Sequence, residues 1–214
     1  MKRKKPKLDQ NPLFIQFSEN LANPELWIGK AEELLVAARI LEAYVVRYWS
    51  KVRVGKDGRL TRLPRGKHVQ GPYSLLIAYA IEDYLKALLV YKNQGRFRNR
   101  LLSDIPSYIK THDLLQLGRD VGMTFTIIEE DLLVRLSRNS LWAARYPVPT
   151  GPTGVAAVRQ FSDGKTYLTA YFGPEDVDRI HRFLDRLVKL IEETRHHVSQ
   201  SQSMGWPKTI CDAG

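Results

Sequence analysis

The chain has 214 residues, 43% of them hydrophobic and 26% charged, an ordinary balance for a globular protein that argues against a disordered or fibrous one. Its net charge of +10 favours anionic partners such as nucleic acid, nucleotides or acidic protein surfaces. A lone cysteine, Cys211, excludes an internal disulfide and makes a reducing, cytoplasmic compartment the expectation.

Residues 1–22 read as a basic, flexible N-terminal arm, and no long apolar run follows Lys2–Lys7, so a secretory leader is not expected. Asn23-Pro24-Glu25 then marks a helix start, with Asn23 as cap and Pro24 at the first helical position. This helix is predicted over 24–50, with Leu34, Ala38, Leu41, Val45 and Tyr48 on one buried face. Residues 51–70 break the pattern with Gly55, Asp57-Gly58 and Pro64, and set seven basic residues against the single acid Asp57. A short hairpin and a flexible basic loop fit this stretch equally well.

A second helix is predicted from Pro72 to Asn93 or Gln94. It is apolar on most sides, which places it at the centre of a bundle. Glu82, Asp83 and Lys86 at its middle exclude a membrane span, and Glu82 and Lys86 stand in the favourable i,i+4 order. After a connection carrying Arg96, Arg98 and Arg100, Thr111 is predicted to cap a helix of about ten residues ended by Gly122. Thr126 and Glu129 form a capping-box pattern for a helix running to about 145, stopped by Pro147 and Pro149. In 154–172, two strand-like runs flank Ser162-Asp163-Gly164-Lys165, a hairpin signal. The last helix is predicted from Pro174 to about 197, with Val177, Ile180, Leu184, Leu187 and Ile191 repeating at three and four. A polar tail, 199–214, follows.

The expected fold is therefore all-α: an antiparallel bundle of four to five helices over 23–198, with the basic loop and a β-hairpin inserted.

Three segments in this order carry a family resemblance. They are Ala80-Ile81-Glu82-Asp83-Tyr84-Leu85-Lys86-Ala87-Leu88-Leu89, Thr111-His112-Asp113-Leu114-Leu115, and Arg138-Asn139-Ser140-Leu141-Trp142-Ala143-Ala144-Arg145-Tyr146-Pro147. Together they resemble the HEPN family of small prokaryotic helical-bundle proteins. The resemblance implies an RNA- or nucleotide-binding protein, a homodimer, and a toxin–antitoxin or defence setting. HEPN ribonucleases pair an Arg with a His four to six residues on. Here Arg138 is kept, and the position matching that His, aligned on Tyr146, is Ala144. The resemblance implies binding of RNA or nucleotide without rapid cleavage. Two alternatives stand beside it: a metal-independent endoribonuclease toxin using a diverged acid–base residue, and an interaction module paired with a nucleotidyltransferase.

Candidate residues follow. Arg138, Asn139 and Arg145 are candidates for holding a phosphate, with Arg138, Arg145, Tyr146 and His112 as catalytic candidates. The bland alternative for Arg138 and Arg145 is solvation, or pairing with Glu129, Glu130 or Asp131. Glu82 either pairs with Lys86 at the bundle edge or reaches Arg138 or Arg145 across the bundle. Arg59, Arg62, Arg65, Arg96 and Arg98 lie in basic clusters beside Tyr48, Trp49 and Phe97, a composition suited to holding phosphates and stacking bases. Arg62 and His68 have the spacing of the family motif but sit in the basic loop. Gly164-Lys165-Thr166 lacks the earlier glycine of a phosphate loop, and His196, His197 and Cys211 lack zinc spacing. No metal or cofactor is expected.

Overall fold

The computed structural model describes residues 12–54, 60–62, 69–93, 110–140, 157–160, 166–169 and 172–204. These residues are mostly helical. Six α-helices follow in chain order: α1 (Pro12–Leu21), α2 (Pro24–Trp49), α3 (Gln70–Lys92), α4 (Leu114–Asp120), α5 (Ile127–Arg138) and α6 (Asp176–Met204). Two short strand pairs interrupt them. Strands β1 (Arg53–Val54) and β2 (Leu60–Arg62) pair antiparallel between α2 and α3, with Arg53 opposite Arg62. Strands β3 (Ala157–Gln160) and β4 (Thr166–Thr169) pair antiparallel between α5 and α6, from Ala157 opposite Thr169 to Gln160 opposite Thr166.

Each helix start has a local cause. Asn23 caps α2, its side chain accepting the Glu25 N–H at 3.1 Å, and Pro24 occupies the first turn, where a missing N–H costs nothing. Thr126 and Glu129 close the full capping box of α5. The start of α4 differs from expectation. Asp113 is the cap, accepting the Gln116 N–H at 3.1 Å, while Thr111 Oγ1 accepts the Asp113 N–H at 3.1 Å. The helix is therefore seven residues long. It ends before Gly122, whose φ of +81° is the left-handed conformation that favours glycine.

The structure corrects the termini. Residues 12–21 of the expected flexible arm are the helix α1, and α6 continues through residues 199–204 of the expected tail. Trp27 accounts for the turn into α2: its indole N–H donates to the Leu21 carbonyl at 3.1 Å and tethers the end of α1.

The core surrounds α3, which packs against α2, α4, α5 and α6 and buries residues on nearly every side, from Tyr73 to Tyr91. On α6 the predicted face, Val177, Ile180, Leu184, Leu187 and Ile191, is buried together with Phe183. On α2, Ala38 and Val45 are buried as expected and Leu34, Leu41 and Tyr48 are half-buried, while Ile28, Ala31 and Leu35 complete the buried stripe.

Cross-links fix the directions of the helices. Tyr73, at the start of α3, donates its hydroxyl to Glu42 late in α2 at 3.1 Å. Tyr91, at the end of α3, donates to Glu25 at the start of α2. The two helices are therefore antiparallel. The same two carboxylates meet α6, Glu42 through His181 Nε2 at 2.9 Å and Glu25 through Arg195 at 2.6 Å, so α6 also runs opposite to α2. In turn, α5 runs opposite to α6, because Arg186 meets Glu129 at one end and Arg135 meets Asp176 at the other. This up-and-down arrangement is a helical bundle around α3.

Candidate functional site

Because α3 is buried on most sides, its polar residues have few ways to reach water. Glu82 is only 5% exposed, among Ile81, Leu85 and Leu89, which are also buried. A carboxylate there is costly without donors. Two donors meet it. Lys86, one turn on and 5% exposed, brings Nζ to 2.5 Å from Oε1. His112 brings Nδ1 to 3.0 Å from Oε1 and 2.9 Å from Oε2. The Lys86 ammonium also faces the Trp27 ring, 5.6 Å from its centroid. The pairing of Glu82 with Lys86 is as expected, but it is buried rather than at the bundle edge, and His112 reaches the same carboxylate from another segment.

An ionised carboxylate only accepts hydrogen bonds, so a neutral His112 must carry its proton on Nδ1 and its lone pair on Nε2. The His112 side chain is 46% exposed, and among the described residues its hydrogen bonds are those of Nδ1 to Glu82. Through Nδ1 the ring is anchored to the buried Glu82.

Hydrogen bonds bring the end of α5 to the same place. The Leu114 N–H donates to Ser137 Oγ at 3.0 Å, and Ser137 donates to the Leu133 carbonyl at 2.8 Å. Leu114 lies two residues past His112, and Ser137 directly precedes Arg138. From α3, the Tyr79 hydroxyl donates to the Ser140 carbonyl at 3.4 Å. Arg138 is half-buried at the last turn of α5, and Asn139 and Ser140 continue it as a π-helical turn. The three widely separated segments thus meet around Tyr79, Glu82, His112, Ser137 and Arg138.

Of the acids near Arg138 on α5, Glu129 meets Arg186 at 3.1 Å, Glu130 meets Arg119 at 2.8 Å and Asp131 meets Arg135 at 2.8 Å. Arg135 is the buried arginine of α5, a residue the sequence reading passed over. It grips Asp176 with two parallel bonds of 2.6 and 2.9 Å and stands 5.1 Å from the centroid of Phe172. Burial alone would push the Asp176 carboxyl up. Arg135, the Gly173 N–H and Arg179 outweigh it and hold the carboxyl below its ordinary value. The signal was present, since Asp131 and Arg135 have i,i+4 spacing on a helix. Beside the site, Asp83 is half-buried, and burial first and the neighbouring Glu82 second push its carboxyl up to about 6, against the pull of Lys86 and Lys30.

Arg145, Tyr146, Arg59, Arg65, Arg96 and Arg98 lie outside the described residues, as does the side chain of Arg62. Among the described residues no group of three or more His, Cys, Asp or Glu is arranged to hold a metal ion, and no helix is long and apolar enough to cross a membrane. Comparison with protein-family models, with curated proteins and with solved structures gives no match.

Proposed function

We propose that this chain is an RNA-binding protein of the HEPN-like kind, and that the junction of α3, the segment before α4 and the end of α5 holds a phosphate of single-stranded RNA. One observation carries the reading: Leu114 bonds to Ser137 while Glu82 bonds to His112, so the three motif segments meet at one junction. Arg138 and Asn139, both half-buried, directly follow Ser137 at the end of α5, and the net charge of +10 favours a polyanionic partner. The toxin–antitoxin or defence setting belongs to the same proposal.

Two copies of the chain associate, in this reading, through the outer face of α2. Val36, Ile40 and Tyr44 are spaced by four residues and are 61%, 66% and 61% exposed, an apolar stripe that the bundle leaves uncovered.

The test is binding of a labelled single-stranded oligoribonucleotide, followed by fluorescence anisotropy across salt. With about six phosphates neutralised, affinity should fall by roughly 10²–10³ between about 50 and 200 mM salt. Arg138→Ala should weaken binding about tenfold, as loss of a charge-assisted bond implies. Absence of binding at low salt, or equal binding by Arg138→Ala, would refute the proposal. In that case the interaction-module reading, with a nucleotidyltransferase as partner, takes its place.

A further inference from the structure

Three of the ten residues of α1 are large apolar side chains open to solvent: Leu13, Ile15 and Phe17 are 80%, 46% and 43% exposed. The last turn of the helix is fastened to the body. There Leu21 packs with Ala22 and Trp27 against the buried Val90, and the Trp27 indole N–H holds the Leu21 carbonyl. Leu13, Phe17 and Leu21 are spaced by four and share one side of the helix, which Ile15 widens at its edge. Gln16, Glu19 and Asn20 take the other side, where the Gln16 amide donates to Asn20 Oδ1 at 3.0 Å. Just before this helix the sequence sets Lys2, Arg3, Lys4, Lys5 and Lys7, five cations in six positions, against the single acid Asp9. We propose that α1 and the basic run before it dock the protein on a bilayer surface that bears anionic headgroups.

Charge and apolar area occur together here, and that pairing selects the occupant. A nucleic acid would take the cations, but bases stack on flat rings, and Leu13 and Ile15 are aliphatic. A protein partner or a second copy would cover the apolar side and leave the five cations without a role. An anionic lipid surface uses both. Its headgroup phosphates hold the lysines and the arginine, and the boundary with the acyl chains takes Leu13, Ile15 and Phe17. The polar side, with Glu19, then faces water and keeps its carboxylate away from the negative surface.

The helix lies on such a surface and does not enter it. Ten residues span about 15 Å, half of what a crossing needs. Neither signal holds the protein alone, because three side chains bury little area and salt screens the attraction of the basic run. Binding is therefore reversible and needs both. Because Leu21 and Trp27 fix the inner end of α1, docking brings the bundle to the surface along with the helix.

The experiment is co-sedimentation of the full chain with vesicles of phosphatidylcholine, alone or with about 30% phosphatidylglycerol. Wild type should pellet with the anionic vesicles, stay in solution with the neutral ones, and be released as salt rises. Lys4→Ala combined with Lys5→Ala should weaken vesicle binding by roughly 10–50-fold. Ile15→Ser combined with Phe17→Ser should weaken it about tenfold or more, with an unchanged circular dichroism melt because both side chains are exposed. No pelleting of wild type with anionic vesicles would overturn the inference. Vesicle binding undiminished by the two serine substitutions would overturn it as well, since charge alone would then account for binding. Loss of affinity for a labelled oligoribonucleotide in the lysine variant, with no vesicle binding by wild type, would assign the basic run to RNA instead. A change from dimer to monomer in the serine variant, again with no vesicle binding, would assign α1 to a second copy of the chain.

Discussion

Asp83 carries a cost that a single substitution can remove. Its carboxyl is pushed from an ordinary 3.8 up to about 6, first by burial and then by the adjacent Glu82. Between those two values the folded chain holds the proton more tightly than the unfolded chain does. Stability contributed by this group is therefore fully present below about pH 4 and is lost as pH rises through about 6. At neutral pH the fold bears a cost of about 3 kcal/mol, from a shift of roughly two units at about 1.4 kcal/mol each. Asp83→Asn keeps the shape and removes the charge. At pH 7 it should raise the melting temperature by about 5–10 °C, since about 1 kcal/mol moves a domain of this size by roughly 2–4 °C. At pH 4 the two proteins should melt together. Circular dichroism melts of both proteins from pH 4 to 7.5 test this, because the difference between the curves reports Asp83 together with the groups coupled to it, Glu82, Lys86 and Lys30. A gain independent of pH, or no gain at pH 7, would refute the reasoning.

Two further outcomes are expected. Arg135→Ala leaves the buried Asp176 without its bidentate partner and should cost about 3–5 kcal/mol in urea denaturation; a loss under about 1 kcal/mol would show that water or Arg179 compensates. On the proposed dimer, wild type should be dimeric by light scattering at micromolar concentration and Ile40→Glu, which places a charge in the exposed stripe of α2, should be monomeric; a monomeric wild type would remove the dimer from the proposal.

The sequence disclosed elements whose cause is local. Asn23-Pro24 started α2, Thr126 and Glu129 started α5, and the apolar spacing of α6 named its buried face, because caps and periodicity act over a few residues. It disclosed less where the cause is distant. Residues 12–21 read as an arm because their helix is tethered through Trp27, which follows it in the chain. His112 was assigned to the first turn of a helix; Asp113 takes the cap instead and leaves the imidazole before the helix, turned toward Glu82. That an acid in an apolar helix needs a partner was legible. Lys86 was legible as that partner from its i,i+4 spacing, but the second partner, His112, was not, since thirty residues separate it from Glu82 and only folding joins them.

The two clasps on α2 work as a pair of marks on a vernier. Glu25 and Glu42 are seventeen residues apart, about 26 Å along the helix, and the tyrosines that meet them on α3, Tyr91 and Tyr73, are eighteen residues apart, about 27 Å. Both marks coincide at one alignment only. Sliding α2 along α3 by one turn, about 5.4 Å, would lift both carboxylates away from their tyrosines and expose two buried polar ends at once. One inserted residue in either helix would break one clasp and rotate every following side chain by about 100°. Glu82 stands between these marks on α3, so the alignment that satisfies both clasps also sets how far along the bundle His112 meets its carboxylate.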